Sequence, residues 1–457
     1  MTIPSGRRCS WKLITQVSCL LLVLSSHKAS ATCFPAIFNF GDSSSDTGGN
    51  HAAFPTETAA EYLPYGQTYF NEPRARYSDG RLTIDFIMET FGFRLLDPYM
   101  QSVTSDFANG VNFAISWATS RRVLDYRTLF PLSTQVTQFQ LFKKEVTEII
   151  NGTSALLAKR GIQPYVNGTS GTTTTQASTA GVAVTTQHPY KKLYDELFRG
   201  KNDSFSGAVE TTTSQDPELK IALEAARRIP LTEYFEQGLY IISIGTSDFS
   251  AGIAKQQTLL DIEAYLPDIV TGITNAVKAI YNEGARTIIV GGVGPIGCLP
   301  VQLTVITHDA TQLDNFGCLA PYNTLVRSYN VQLKQALVDL RVQLPLATIV
   351  YLDNYQLQHN LLFNNTQNGI SVGIQSCCGV PSTYNFNDKV QCGETGIVDG
   401  GLFLVSQTCP NPVNFTIWDG YHYTEAANRY FARQILSGRY FDLPFSLIPD
   451  NCTANQI

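Results

Sequence analysis

"FNFGDSSSDTGGN" runs from Phe38 to Asn50. Ahead of and into it, Phe34 to Phe40 forms a short apolar run that Gly41 ends, the pattern of a strand buried on both faces. Beyond Gly41 come three serines flanked by two aspartates, then a glycine pair. A string of this kind either closes a strand as a polar turn or holds a serine at a strand tip, where a base from elsewhere in the chain can reach it. The residues outside the stretch have to decide.

Those residues alternate apolar strands with helices. Strands are expected at Val111 to Ile115, Leu239 to Ile244, Thr287 to Val290 and Ala347 to Leu352. Ser78-Asp79 is expected to cap a helix reaching about Phe91, with Ile84, Ile87, Met88 and Phe91 on one face and Gly92 as its stop. Further helices are expected from about Leu260 to Asn282, from Tyr322 to about Leu340, and from a Thr424 cap to about Leu436. The alternation predicts an α/β layered fold on a mostly parallel sheet. Between Asn151 and about Pro217 the character changes. "GTSGTTTTQASTAGVAVTTQ" and "ETTTSQD" are rich in Thr, Ser and Gly. This predicts a solvated insertion at about 151–217 inside a single domain, because the strand and helix pattern continues on both sides.

The chain's 457 residues, 44% hydrophobic, can bury a sizeable core, and a net charge of −6 gives no footprint for nucleic acid. Residues 1–31 have the pattern of a secretory signal. Arg7, Arg8 and Lys12 make a basic start, Leu13 to Leu24 is mostly apolar, and Ala29-Ser30-Ala31 supplies small residues for cleavage. The apolar stretch is short for a membrane span, and no later one is long enough. Cys33, Cys298, Cys318, Cys377, Cys378, Cys392, Cys409 and Cys452 follow the signal. An even count in an exported chain predicts disulfides, with adjacent Cys377 and Cys378 bonded to different partners. The other pairings stay open. Paired C-x-x-C motifs with matching histidines are absent, so no metal is expected. Six N-x-[ST] sequons start at Asn151, Asn167, Asn202, Asn364, Asn414 and Asn451, candidates for surface glycans.

One histidine has a carboxylate at a suggestive short spacing. In "WDGYHYTEAAN", Asp419 precedes His422 by three residues, just before the Thr424 cap. A serine hydrolase needs an imidazole to take the serine's proton and a carboxylate on its other nitrogen to fix the tautomer. A tight D-x-x-H loop supplies both from one rigid piece. The G-x-S-x-G elbow of α/β-hydrolases is absent. "GGVGPIG", with Gly292, Gly294 and Gly297, imitates a dinucleotide fingerprint, but Pro295 and the following "CLPV" deny it the immediate helix such a site requires. It is expected to be a structural loop.

Taken together, "FNFGDSSSDTGG", "YSDGRLTIDFI", "GVNFA", "GTSDF", "GPIGCLP", Tyr329-Asn330, "CCG", "CG" and "WDGYHYTEAAN" resemble the plant secreted branch of the GDSL-type esterase/lipases, in the SGNH hydrolase superfamily. The resemblance runs from about Cys33 to Cys452 and lies in the order and combination of the motifs. It implies a three-layer α/β/α flavodoxin-like sandwich and ester hydrolysis through an acyl-enzyme. The nucleophile would be Ser43, the general base and acid His422, and the orienting carboxylate Asp419. The implied substrate is a small ester, a lipid or an acylated glycan, with no cofactor, and the implied location is extracellular, in a plant the apoplast or cell wall. In the family an Asn and a Gly help form the oxyanion hole with the nucleophile's N–H. Here Ser247 stands at the Asn position, a donor of shorter reach, and Trp117 stands at the Gly position, where its side chain takes space. Ser43 N–H and Ser247 are the expected oxyanion donors. The two departures also support a rival reading, a secreted glycoprotein of weak or lost catalysis that binds ligands or partners.

Overall fold

The computed structural model describes residues 34–55, 58–123, 130–162, 190–191, 193–194, 216–363, 369–398, 401–448 and 455. Its centre is a five-stranded sheet of β1 (Ile37–Gly41), β2 (Gly110–Asn112), β3 (Leu239–Ser243), β4 (Thr287–Gly291) and β5 (Thr348–Leu352). The order is β2-β1-β3-β4-β5, and every neighbouring pair is parallel. This is the flavodoxin-like order, with β1 the strand from which the connections leave in opposite directions.

Among the described residues, the α-helices of eight residues or more are α1 (Thr83–Thr90), α2 (Leu132–Lys159), α3 (Pro217–Ala226), α4 (Thr246–Ala254), α5 (Leu266–Asn282), α6 (Ala320–Gln343), α7 (Asn354–Phe363) and α8 (Glu425–Leu436). Successive side chains of a strand point to opposite faces, and they sort the helices into two layers. Phe38, Phe40, Tyr240, Ile242, Ile288 and Val290 pack in the core with α2, α3, α5 and α6. Ile37, Leu239, Ile289 and Val350 pack in the other with α1, α7 and α8. Both faces are covered, which is why the strands carry near-continuous apolar runs. Phe38 stacks on Tyr240 at 4.9 Å and on Phe235 at 5.2 Å, so aromatic packing anchors β1 in the sheet.

Several elements depart from the sequence expectation. Asp79 does not cap its own helix. It accepts the Glu425 N–H at 2.7 Å and so adds to the expected Thr424 cap of α8, whose hydroxyl accepts the Ala427 N–H at 3.2 Å, while α1 starts after Leu82 with Asp85 accepting the Leu82 N–H at 2.9 Å. The single helix expected to Asn282 is two, Leu259–Ala264 and α5, separated at Tyr265 with Pro267 in the first turn of the second. The largest difference is α2. It runs unbroken through Asn151 to Lys159, so the first part of the expected insertion is regular helix. Leu132, Val136, Phe139, Phe142, Val146, Ile150 and Leu157 form its buried stripe. Tyr190 is buried in the same core. The Thr-rich stretch itself lies outside the described residues.

Three disulfides join Cys298 to Cys318, Cys377 to Cys409 and Cys378 to Cys392. Adjacent Cys377 and Cys378 therefore bond to different partners. Cys33 and Cys452 lie outside the described residues. So do Asn167, Asn202, Asn364 and Asn451, whereas Asn151 is exposed on α2 and Asn414 is half-buried in the turn Pro412–Asn414. Among the described residues, no helix is long and apolar enough to cross a membrane.

Candidate active site

Strand ends meet in register along the carboxyl edge of the sheet, with Gly41 beside Ser243 and Ser243 beside Gly291. The chain turns sharply after Gly41, closed by the Ser45 N–H bond to the Asp42 carbonyl at 3.1 Å. A Cβ on Gly41 would lie 2.5 Å from the Ser243 carbonyl oxygen and 2.6 Å from Ser45 Oγ, so only glycine fits at this corner. Buried polar side chains fix the turn from three sides. Gln135 of α2, fully buried, accepts the Gly41 N–H at 3.0 Å and donates to the Gly41 carbonyl at 2.8 Å. Asn112 of β2 donates to the Ser45 carbonyl at 2.7 Å and to Thr47 Oγ1 at 2.8 Å. Asp46 accepts the N–H groups of Gly48, Gly49 and Asn50, and that of Ser116 at 2.8 Å.

The three serines of the turn face different surroundings. Ser44 is exposed, and Ser45 is buried against the sheet. Ser43 Oγ lies 2.8 Å from His422 Nε2. His422 Nδ1 lies 2.7 Å from Asp419 Oδ2. The other carboxylate oxygen accepts the backbone N–H groups of Tyr421 at 3.0 Å and His422 at 2.9 Å, so the D-x-x-H turn holds its own carboxylate still. Tyr65 donates its hydroxyl to Asp419 Oδ2 at 2.8 Å. Burial acts to raise the Asp419 carboxyl, but the His422 charge, its hydrogen bond and the two N–H groups outweigh it, and the group stays below the usual carboxylate range. Burial, then the neighbouring Asp419 charge, push the Tyr65 hydroxyl well above its ordinary value, so it remains a donor. Tyr77 supports the other side of the imidazole, its ring 4.9 Å from that of His422. Neither tyrosine was singled out in the sequence. A Tyr in "PYGQ" or "RYSD" carries no local sign that it reaches a turn hundreds of residues away.

Ser43, Trp117, Ser247 and His422 line one cleft of about 540 Å³. Trp117 takes the left-handed backbone conformation, φ 63°, which glycine adopts freely and a bulky residue rarely does. The large side chain therefore does not bar that conformation. Its ring turns toward Tyr421, 6.3 Å away edge to face. Two buried carboxylates strap the turn in place. Asp46 holds the Ser116 N–H at one end, and Asp248 accepts the Ser120 N–H at 2.7 Å and its hydroxyl at 3.0 Å at the other. Ser247 sits in the first turn of α4, which begins after Gly245 at φ 122°. The first two turns of this helix present Thr246, Ser247 and Ser250 to the cleft.

The glycine-rich loop after β4 serves the fold. Asn330 of α6 receives the Val293 N–H at 2.9 Å and donates to the Val293 carbonyl at 2.8 Å, while Asn323 accepts the Gly297 N–H at 2.9 Å. These N–H groups are engaged by side chains, as a structural loop requires. The other described histidines are also engaged elsewhere: His51 pairs with Glu61, His308 bonds the Ile306 carbonyl and His359 packs on Phe316.

A parallel sheet of flavodoxin-like order, with a serine, an imidazole and a carboxylate in one hydrogen-bonded line at its carboxyl edge, has the architecture of an SGNH-type hydrolase. The arrangement can draw the Ser43 proton onto His422 while Asp419 steadies the imidazolium. Sequence comparison agrees. The model of the family described as GDSL-like Lipase/Acylhydrolase matches residues 37–435, and the chain belongs to that family. A GDSL esterase/lipase of Arabidopsis thaliana is 34% identical over 450 residues, covering 98% of each chain. An esterase of Hevea brasiliensis is 34% identical, covering 95% of this chain and 93% of its own. Alpha-L-fucosidase 3 of Arabidopsis thaliana is 32% identical, covering 89% and 91%. As a member of the family the chain is a hydrolase of ester bonds.

Proposed function

We propose that the protein cleaves carboxylic esters of lipids or acylated carbohydrates through an acyl-enzyme on Ser43. His422 Nε2 takes the Ser43 proton as Oγ attacks the carbonyl carbon, then returns it to the leaving alcohol. Asp419 keeps Nδ1 protonated and carries the opposite charge while the imidazolium exists. The Ser43 N–H and the Ser247 hydroxyl stabilise the oxyanion, helped by the positive amino end of α4. Water, activated by the same imidazole, then releases the acid. The observation that carries this reading is the unbroken line Ser43 Oγ, His422, Asp419 at 2.8 and 2.7 Å along the wall of an open cleft.

One relative bears the name of a glycosidase, but glycoside hydrolysis ordinarily needs a pair of carboxylates across the scissile bond. The cleft offers Glu394 and an Asp419 already committed to His422. An ester of a carbohydrate suits these groups better than a glycoside. The signal-like residues 1–31, the disulfides and the sequons support export and glycosylation. The test uses Ser43→Ala with esters graded from acetyl to long chain. Hydrolysis and fluorophosphonate labelling disappear in the variant while its urea midpoint is kept. Undiminished turnover in Ser43→Ala refutes the assignment.

A further inference from the structure

Beside the cleft stands an antiparallel hairpin, Thr395–Val398 paired with Leu402–Val405. Thr395 faces Val405 and Ile397 faces Phe403, so these four side chains share one face of the ribbon. On a ribbon with one wet face, that face should be polar. Here it is apolar and outward, with Ile397 74% and Phe403 61% exposed, while on the opposite face Gly396 abuts Val390, and Leu402, next to the turn, adds a further exposed apolar side chain. A two-stranded ribbon is marginal alone, and this one is clamped at both ends. Cys392 before it and Cys409 after it are bonded to the adjacent Cys378 and Cys377.

The base of the hairpin is also a wall of the cleft. Gln391 and Glu394 line the cleft, and the Glu394 carbonyl accepts the Ser406 N–H at 3.0 Å. At the same rim, Gly393 abuts the segment of Leu63 and Pro64, where Tyr62 and Leu63 are more than half exposed. Exposed apolar side chains therefore flank the wall of the cleft that Gln391 and Glu394 form. Its charge narrows the occupant. From Gly393 to Thr408 the sequence contains Glu394 and Asp399 and no Lys or Arg, so nothing on the ribbon grips an anionic membrane.

We infer that this face docks the enzyme on the surface of a dispersed, uncharged acyl ester, presenting the cleft to molecules drawn from that surface. The inference rests on the ester-hydrolase reading above. A test that does not need turnover uses Ser43→Ala protein and flotation with a triacylglycerol emulsion stabilised by a zwitterionic lipid. The protein partitions onto the emulsion, and adding Ile397→Ser with Phe403→Ser lowers partitioning at least about tenfold, given the apolar area removed. In the active background, the same pair of substitutions leaves turnover of a water-soluble acetyl ester unchanged, which also shows that the fold and catalytic groups are intact. Emulsion hydrolysis falls in step with binding. Absence of partitioning overturns the inference, as does equal partitioning with and without the two substitutions. A concentration-dependent dimer that the substitutions dissolve, with no flotation, assigns the face to a second copy and also overturns it. Loss of soluble-ester turnover in Ser43→Ala alone tests the underlying hydrolase reading separately.

Discussion

Asp46→Asn is expected to be the most costly single-atom exchange near the site. The Asp46 side chain is fully buried and receives four N–H groups. Oδ1 takes those of Gly48 and Gly49, and Oδ2 takes those of Asn50 and Ser116. An amide keeps one acceptor oxygen and turns an NH₂ toward the other two donors. Each buried donor left without an acceptor costs about 1–3 kcal/mol, so the loss of stability is about 2–6 kcal/mol. The amide oxygen does best by staying with the glycine pair, which lies in the same turn. The Ser116 N–H then loses its partner, and the Trp117 turn is released from one of its two straps. Misplacement of about 1 Å in a catalytic wall can cost about 10² in rate. Urea unfolding gives the stability, and kcat/KM on a soluble short-chain ester gives the catalytic effect. A destabilisation below about 1 kcal/mol with unchanged kcat/KM refutes the strap.

Three further expectations follow from the same wall. Trp117→Gly relieves about 1–2 kcal/mol of left-handed strain but adds unfolded-chain entropy and removes the contact with Tyr421. Its urea midpoint therefore stays close to wild type, while KM falls for branched or bulky acyl esters and not for acetyl esters; equal effects on both would remove the ring from the cleft. Burial pushes the Asp248 carboxyl up to about 7, against the pull of its Ser120 hydrogen bonds and the Arg121 charge. The folded state thus holds a proton that the unfolded chain releases above about pH 4. Stability contributed below that pH is lost as pH rises to about 7, by about 4 kcal/mol in all, and Asp248→Asn abolishes the slope; parallel curves of unfolding free energy from pH 4 to 8 contradict it. Ser247→Asn extends the donor toward the oxyanion and raises kcat by up to about 10²-fold, whereas an unchanged kcat means another donor already serves there.

What could be read from the sequence was what short-range chemistry determines. An apolar run ended by glycine marks β1, and three-residue spacing in Asp419-Gly420-Tyr421-His422 is enough for one carboxylate to reach both its own turn and the imidazole. The choice among Ser43, Ser44 and Ser45 came from the family resemblance and not from the string itself, because it depends on a partner at the far end of the chain. Gln135 escaped notice for a related reason. A glutamine on an amphipathic helix ordinarily faces water, and only the placement of α2 against β1 turns it into the cap of a strand. The helix itself was hidden by Asn151-Gly152-Thr153, which has the composition of a loop. Buried stripe residues on both sides, Ile150 and Leu157, override the local preference of the glycine. Asp79 shows the opposite error. It has the right chemistry for a cap beside its own helix, but the N–H it receives comes from Glu425.

That last bond, with the line from Ser43 to His422, gives the molecule a built-in order of events. Ser43 is synthesised long before His422, the imidazole it meets. The two are 379 positions apart, and Asp79 and the helix it caps are 346 apart. Until α8 docks, Ser43 is an ordinary hydroxyl with no imidazole to take its proton. A chain cut short before Asp419 therefore lacks the proposed base and its carboxylate and is expected to cleave no ester, however well its first strands have formed. On the proposed assignment, ester cleavage reports that two distant stretches of the chain have closed on one another.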